Sequence, residues 1–377
     1  MNRAMSTILI YRDRLLPNSE VAFMRRQYMG FERLRPIWVG CRADAGLKAA
    51  KIEPMILGGD GVSGCLERAL FKQAGIVPSR PDLAALRPVL IHAQFGRGGA
   101  LALPIAQKLR IPLVVTFHGG DAFKNKHYQG IVPTIFKRRW EELKSYASLF
   151  VCVSAAVRDK LAERGAPADK LDVIHIGTDT VLDALAPRHP KHFFFAGRFV
   201  EKKGIFVLIE AIRRLRANGV ATPAVLAGEG PLFAQAKEQS ADLADVVFAG
   251  WLGADAMRAE MADAVAVVIP SIAGSDGDRE GLPSVAVEAM GLGVPVIASD
   301  FTGLKGIADA AGAGLVVPAG DAAALAEAML RLSNDPLELT AMGIAAHRLA
   351  AAEFCALRQS KRLEDRLSEL AIIRGDA

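Results

Sequence analysis

With 377 residues the chain is too long for a single hydrophobic core and long enough for two. Hydrophobic residues make up 51% of it and charged residues 23%, which excludes a disordered chain, and apolar runs such as Ala264 to Pro270 are far shorter than the roughly 20 residues of a bilayer-spanning helix. The net charge of +5 conceals a basic N-terminal part, residues 1–180 holding 27 Lys and Arg against 16 Asp and Glu; few aromatics and no basic nucleic-acid motif leave an anionic membrane surface, a phosphorylated acceptor or plain solvation to explain it.

The first apolar run, Ile8 to Tyr11, is too short for the core of a secretory signal, so a cytoplasmic protein is expected. Short β-rich runs predict strands over Thr7–Tyr11, Arg35–Gly40, Val89–His92, Pro112–Phe117, Leu149–Val153 and Asp172–Ile176, with helical patterns such as Gly98–Leu109 between them. Of the cysteines Cys41, Cys65, Cys152 and Cys355, none shares a CxxC spacing, so neither disulfides nor a structural zinc is expected, and Cys152 in LFVCV reads as a buried thiol. The pattern breaks at GTDTVLDALAPRHPKH, where Pro187 and Pro190 predict a linker. It restarts with strands over His192–Ala196, Ala224–Ala227, Val246–Ala249, Val265–Ile269 and Val294–Ala298. Beyond Gly320 the spacing predicts terminal helices, the last amphipathic from Glu353 to Leu370.

Strands alternating with helices need crossover connections, hence parallel sheets covered on both faces, with ligands beyond the strands' carboxyl ends. The expected architecture is therefore α/β with two facing Rossmann-like domains, residues 1–182 (joined by the C-terminal helix 353–377) and 191–350, and a deep cleft between them.

The most informative segment, DREGLPSVAVEAMGLGVPVIAS, follows the apolar strand AVAVVIPS and reads as loop, helix, strand. Pro283 suits a helix start, Gly281 lets the backbone approach a ligand, and free amides there would face an anion. Glu280 lies before the helix and Glu288 about one and a half turns inside it, so the two carboxylates can touch different parts of one extended ligand. A nucleotide-sugar is such a ligand, with sugar hydroxyls, a diphosphate and ribose hydroxyls in fixed order. In FFFAGRFVEKKGIFVLIEAIRRL, Arg198 and Lys203 stand at a strand's carboxyl end, where a guanidinium and an ammonium can neutralise a diphosphate as its bond to sugar breaks, in place of a metal. The histidines show no HExxH or similar ligand spacing, and no metal site is expected.

These segments resemble the E-x7-E signature and the Gly-Arg and Lys-Gly pairs (Gly197, Arg198, Lys203, Gly204) of the retaining glycosyltransferase family 4, which has the GT-B fold. The resemblance covers residues 88 to 320, and it assigns Glu280 to the transferred sugar and Glu288 to the donor ribose, with amides around Gly281, Leu282 and Ser284 beside sugar and phosphate. It further implies that Gly228, Glu229, Gly230 and Pro231, in VLAGEGPL, lie near the nucleotide. In PLVVTFHGGDAF, His118, Gly119, Gly120 and Asp121 are similar to the family's His-Gly-x-Asp motif facing the sugar. There a neutral imidazole or a nearby carbonyl accepts a hydrogen bond from a sugar hydroxyl, so positioning is expected of His118 rather than proton abstraction. Upstream, IHAQFGRGG resembles members reading His-Ala-His-Phe-Gly, with Gln94 at the second histidine's position, able to hydrogen-bond but not to titrate.

Two departures stand out. YRDRLLPNSEVAFMRRQ replaces the usual Gly-Gly loop after the first strand and resembles members of exopolysaccharide and lipid-linked oligosaccharide assembly, making Asn18, Ser19 and Glu20 acceptor-side candidates. FTGLKGIAD puts Lys305 and Gly306 where many members read Gly-Ile-Pro-Glu. The implied reaction is metal-independent, cofactor-free, retaining transfer of a hexose from a nucleotide diphosphate-sugar, GDP-mannose first and a UDP-sugar second, with front-face departure of the diphosphate. The acceptor is a glycan or a polyprenyl-diphosphate-linked oligosaccharide.

The segment IVPTIFKRRWEELKSYA combines Ile135, Phe136 and Trp140 with Lys137, Arg138 and Arg139; it suits either peripheral contact with lipid headgroups at the inner face of the cell membrane or an amphipathic helix packed inward. Three rival readings stay open: a nucleotide-sugar epimerase or hydrolase of the same fold, a two-lobed sugar-binding protein, and a catalytically dead partner subunit.

Overall fold

The computed structural model describes residues 5–16, 19–44, 46–47, 52–124, 134–179 and 188–372, with backbone alone at 19–22 and 372. The chain forms two compact units, Met1–Gly177 with Ala356–Ala377, and Thr178–Cys355. The predicted linker residues 180–187 lie outside the described residues.

In the first unit the strands are β1 (Ser6–Tyr11), β2 (Arg14–Leu15), β3 (Leu34–Gly40), β4 (Arg42–Ala43), β5 (Met55–Ile56), β6 (Leu90–Gln94), β7 (Leu113–Phe117), β8 (Leu149–Cys152) and β9 (Leu171–Val173). Seven of them make one sheet in the order β5-β3-β1-β6-β7-β8-β9, every pair parallel. The central strands β6, β7 and β8 are buried along their whole length, as strands covered on both faces must be, β6 carrying the polar His92 and Gln94 with it.

The chain returns to this unit at its end. The helix Ala356–Ile372 contributes Leu363 and Leu367 to the core with Ile8, Ile10 and Val114. Glu364, almost wholly buried, accepts hydrogen bonds from the amides of Glu32, Arg33 and Leu34 at 2.9, 2.7 and 2.9 Å, which compensates its desolvation. The predicted last helix from Glu353 is two helices: Pro336–Glu353 ends at Phe354, whose fully buried ring and carbonyl, bonded by the Thr178 amide at 2.7 Å, stop it before the next begins.

In the second unit β10 (His192–Ala196), β11 (Ala224–Ala227), β12 (Val246–Gly250), β13 (Ala264–Ile269), β14 (Val296–Ser299) and β15 (Gly314–Val317) form a parallel sheet ordered β12-β11-β10-β13-β14-β15. Successive side chains of β10 serve opposite faces, Phe193 and Phe195 packing in one core and Phe194 and Ala196 in the other. The order reverses between β10 and β13, and the crevice outside such a reversal is where doubly wound sheets bind ligands. The edge strand β15 is absent from the sequence reading: its four residues, GLVV, are too short to register as a period.

The segment read as a lipid-contacting candidate turns inward. The helix Ile135–Tyr146 buries Ile135, Phe136, Trp140 and Leu143, and Arg139 donates to the Ala100 carbonyl at 2.7 Å, so the inward-packing alternative holds here. Among the described residues no helix is long and apolar enough to cross a membrane.

Candidate active site

The second unit gathers its charged residues at the sheet's reversal point. After β10 the chain passes Gly197 and the exposed Arg198. After β11 it passes Gly228, at φ +123°, where an added Cβ would come within 2.0 Å of the Gly197 carbonyl oxygen. The Phe199 amide then donates to the Glu229 carbonyl at 2.8 Å, so the ends of β10 and β11 are stitched together by backbone that only glycine permits. Gly230 lies against Phe199, and Glu229 is exposed. A single 3-10 turn, Glu201–Lys203, closes on Gly204, whose Cβ position is occupied by the Pro270 carbonyl. That close approach brings the lysines of one loop against the loop that follows β13.

Glu280 sits at the meeting point. Its Oε1 lies 3.1 Å from Lys203 Nζ and 3.3 Å from Lys202 Nζ, and Lys202 also reaches Asp278 at 3.2 Å. The Lys203 side chain runs along Gly197, its Cε being 3.4 Å from where a Cβ would stand. Burial opposes ionisation of Glu280, yet Lys203 and Lys202 together hold its carboxyl below the usual range. Burial likewise works against the Lys202 charge, and Glu280 and Asp278 outweigh it, raising that ammonium. Lys202 and Asp278 were not singled out in the sequence; the second lysine of EKKG and the aspartate two residues before Glu280 were the available signal. Gly281 and Leu282 lead to Pro283, which is the N-cap of the helix Ser284–Gly291 rather than its first residue, and Glu288 is half-buried in that helix. The first amides of such a helix have no intrahelical acceptor.

In the first unit β7 delivers His118 to the sheet's carboxyl edge. Gly119, at φ +124°, turns the chain, and the Asp121 carboxylate accepts from the amides of His118, Gly119 and Gly96, each at 2.9 Å. Burial pushes the Asp121 carboxyl up to about 6, these amides offsetting part of the effect. Asp121 thus ties the glycine loop to the start of the helix Gly96–Leu109. The half-buried His118 ring stacks on Phe95 at 4.2 Å and meets Phe23 edge-on at 5.2 Å, and the Arg12 guanidinium lies 3.9 Å from the centre of the Phe95 ring. His118 Nε2 is 2.7 Å from Gln94 Oε1. Burial, Arg12 and His92 hold the imidazole well below the usual histidine range, so it is neutral. Asn18 lies outside the described residues; Ser19 and Glu20 begin the helix Ser19–Arg26, with side chains outside them.

Two doubly wound parallel units in one chain, the second holding an acidic residue clasped by two lysines at its reversal point, are the architecture of the GT-B fold. The family description "Glycosyl transferases group 1" matches residues 183–349, and "Glycosyltransferase Family 4" matches residues 63–182. The amylovoran biosynthesis glycosyltransferase AmsK of Erwinia amylovora is 32% identical over 293 residues, 74% of this chain and 70% of that protein. The putative colanic acid biosynthesis glycosyltransferase WcaL of Salmonella typhimurium is 32% identical over 261 residues, 65% of this chain but less than two thirds, 62%, of that protein. The crystal structure of Anabaena Alr3699/HepE in complex with UDP and glucose has the same fold, with a TM-score of 0.75 at 19% identity over 97% of this chain and 100% of that one. The chain belongs to glycosyltransferase family 4.

Proposed function

We propose that the chain transfers a hexosyl group from a nucleoside diphosphate hexose, with retention and without a metal, to a glycan or a polyprenyl-diphosphate-linked oligosaccharide. The observation that carries this reading is the Glu280 cluster: one carboxylate within 3.3 Å of two ammoniums, of which Lys203 runs along Gly197, the residue before the exposed Arg198. Arg198, Lys203 and the first amides of the helix Ser284–Gly291 receive the diphosphate, Glu280 meets the sugar, and Glu288 the ribose. Gly228, Glu229 and Gly230 lie toward the nucleotide, and His118, Gly119 and Asp121 form the sugar-facing loop of the first unit. Arg198 and Lys203 supply the charge that a divalent metal supplies elsewhere.

In the step proposed, the acceptor hydroxyl oxygen bonds to the anomeric carbon on the face the diphosphate leaves. The carbon–oxygen bond to the β-phosphate breaks with its electron pair going to the phosphate oxygen, and that oxygen takes the hydroxyl proton. The products are a glycoside of unchanged anomeric configuration and a nucleoside diphosphate. A carboxylate held by two ammoniums is a poor nucleophile, which favours this course over a covalent intermediate on Glu280.

The names of AmsK and WcaL support a place in exopolysaccharide assembly, and the UDP in the HepE structure supports a UDP-sugar beside GDP-mannose as donor. Peripheral contact with an anionic bilayer is part of the reading, on a new surface. The helix Gly61–Ala74 leaves Val62, Leu66 and Leu70 exposed at four-residue intervals, with Ile76 exposed just beyond it. Arg138 donates to Gln73 on the same helix at 3.1 Å, which puts a cation at its rim. The test of the donor assignment is a panel of GDP- and UDP-hexoses read by thermal shift and by release of nucleoside diphosphate with an acceptor present; stabilisation by one donor and its turnover are expected, and no shift with any member of the panel would overturn it.

A further inference from the structure

His118 ends a continuous file of buried polar side chains. From His118 Nε2 the contacts run to Gln94 Oε1 at 2.7 Å, from Gln94 Nε2 to Tyr28 Oη at 2.6 Å and to Gln27 Oε1 at 2.9 Å, from Tyr28 Oη to His92 Nδ1 at 2.9 Å, and from His92 Nε2 to Thr116 Oγ1 at 2.7 Å. Gln27, Tyr28, His92, Gln94 and Thr116 are all buried. The file stops at His118, whose other ring nitrogen, Nδ1, is buried without a hydrogen-bond partner among the described residues.

Each link constrains the next. The Gln94 amide nitrogen serves two oxygens, leaving its carbonyl oxygen for His118, and a carbonyl oxygen only accepts. His118 Nε2 therefore carries the hydrogen and Nδ1 a bare lone pair. Further along, Tyr28 accepts from Gln94 and donates to His92 Nδ1, so His92 carries its hydrogen on Nε2 and donates to Thr116. Reversing every donor would place an N–H on the buried, partnerless Nδ1 of His118; an orphaned N–H is the rarer and costlier defect, since an acceptor with an unused lone pair loses less.

We propose that Gln94 is a positioning residue which, with Tyr28 and His92 behind it, locks His118 in the Nε2–H tautomer so that Nδ1 accepts a hydrogen bond from one hydroxyl of the transferred sugar. The sugar-facing role of His118 rests on the function proposed above; the tautomer does not. The site thereby selects hexoses with a hydroxyl, not a hydrogen or an ether, at the carbon that meets Nδ1. His92 stays neutral because burial lowers its imidazole to about 3, so the file keeps its direction over the working pH range.

The test has two readouts on the full-length protein. Long-range nitrogen–proton NMR of the histidine rings should give a protonated Nε2 and an unprotonated Nδ1 for His118 in the wild type, and Gln94→Leu should mix the two tautomers. A wild-type proton on Nδ1 overturns the inference and leaves the proposed transfer standing. In kinetics, Gln94→Leu should lower donor kcat/KM by about tenfold, the worth of one misdirected hydrogen bond. Gln94→Glu, still an acceptor for Nε2–H but charged, should raise the His118 pKa and move the acid limb of kcat/KM to higher pH than in the wild type; an unmoved acid limb at wild-type rate overturns the role given to Nδ1. If the Nε2–H tautomer is found and His118→Ala still transfers at the wild-type rate, the sugar-facing reading of this loop fails as well.

Discussion

Lys203 Nζ lies 3.1 Å from Glu280 Oε1, so the ammonium assigned to the departing diphosphate and the carboxylate assigned to the sugar are partners of each other. Lys202 is the second partner of Glu280, at 3.3 Å, so the carboxylate has a cation beside it other than Lys203. On the function proposed above, the donor's diphosphate competes with Glu280 for Lys203 without leaving a buried carboxylate alone.

Lys203→Ala and Glu280→Ala are each expected to lower kcat for transfer by about 10² to 10³-fold, the usual cost of deleting one preorganised charge at a reacting group. Circular dichroism should show both variants folded. Wild-type turnover in either would remove the cluster from the mechanism.

Lys202→Met should act differently. With one cation gone, burial has more weight and the Glu280 carboxyl rises from its depressed position. In the proposed reaction Glu280 works ionised, so activity is expected to fall as pH drops through its pKa, and the acid limb of the kcat profile should move to higher pH in this variant. An unmoved acid limb counts against Lys202 as the holder of that charge.

The Asp121 carboxyl has the opposite sign. Its folded value of about 6 lies above the ordinary 3.8, so between these values the folded state binds the extra proton and stability declines as pH rises through the window. Asp121→Ala should abolish that slope. It should also cost about 1–3 kcal/mol, because three amides lose their acceptor. Urea melts at several pH values measure both effects.

Gly228→Ala places a methyl where the Gly197 carbonyl stands, 2.0 Å away, at a φ of +123°. A backbone cost of about 1–3 kcal/mol is expected before the overlap is counted. Since the strain falls between the ends of β10 and β11, donor-induced thermal stabilisation should shrink more than the melting temperature itself.

Vesicle sedimentation separates the two candidate membrane surfaces. Leu66→Asp with Leu70→Asp should abolish binding to anionic vesicles, because these side chains are exposed. Replacing Lys137, Arg138 and Arg139 by glutamate should weaken binding only through charge, since the apolar residues of their helix are buried. Equal binding by the wild type and the leucine variant would sink the surface proposed on the helix Gly61–Ala74.

The sequence by itself determined the α/β class, every strand but β2, β4, β5 and β15 to within a few residues, and the loops that hold Glu280, Arg198, Lys203 and His118. Those are local matters: buried parallel strands are apolar runs of fixed length, and glycine turns at strand ends recur in the one-letter text. Tertiary structure decided which charges meet. That Lys202 shares Glu280 and also reaches Asp278, and that Asp121 takes the Gly96 amide besides those of its own loop, depend on approaches such as Gly204 to Pro270, between residues far apart in the chain. It also decided facing: helical periodicity in the segment with Trp140 fits a core as well as a lipid surface, and the sheet behind it settled the matter, while Val62, Leu66 and Leu70 gave no warning that they would be left outside. The file from Thr116 to His118 was illegible for the same reason, because a hydrogen bond's direction is set by every neighbour of both partners, and those neighbours come from three separate stretches of chain.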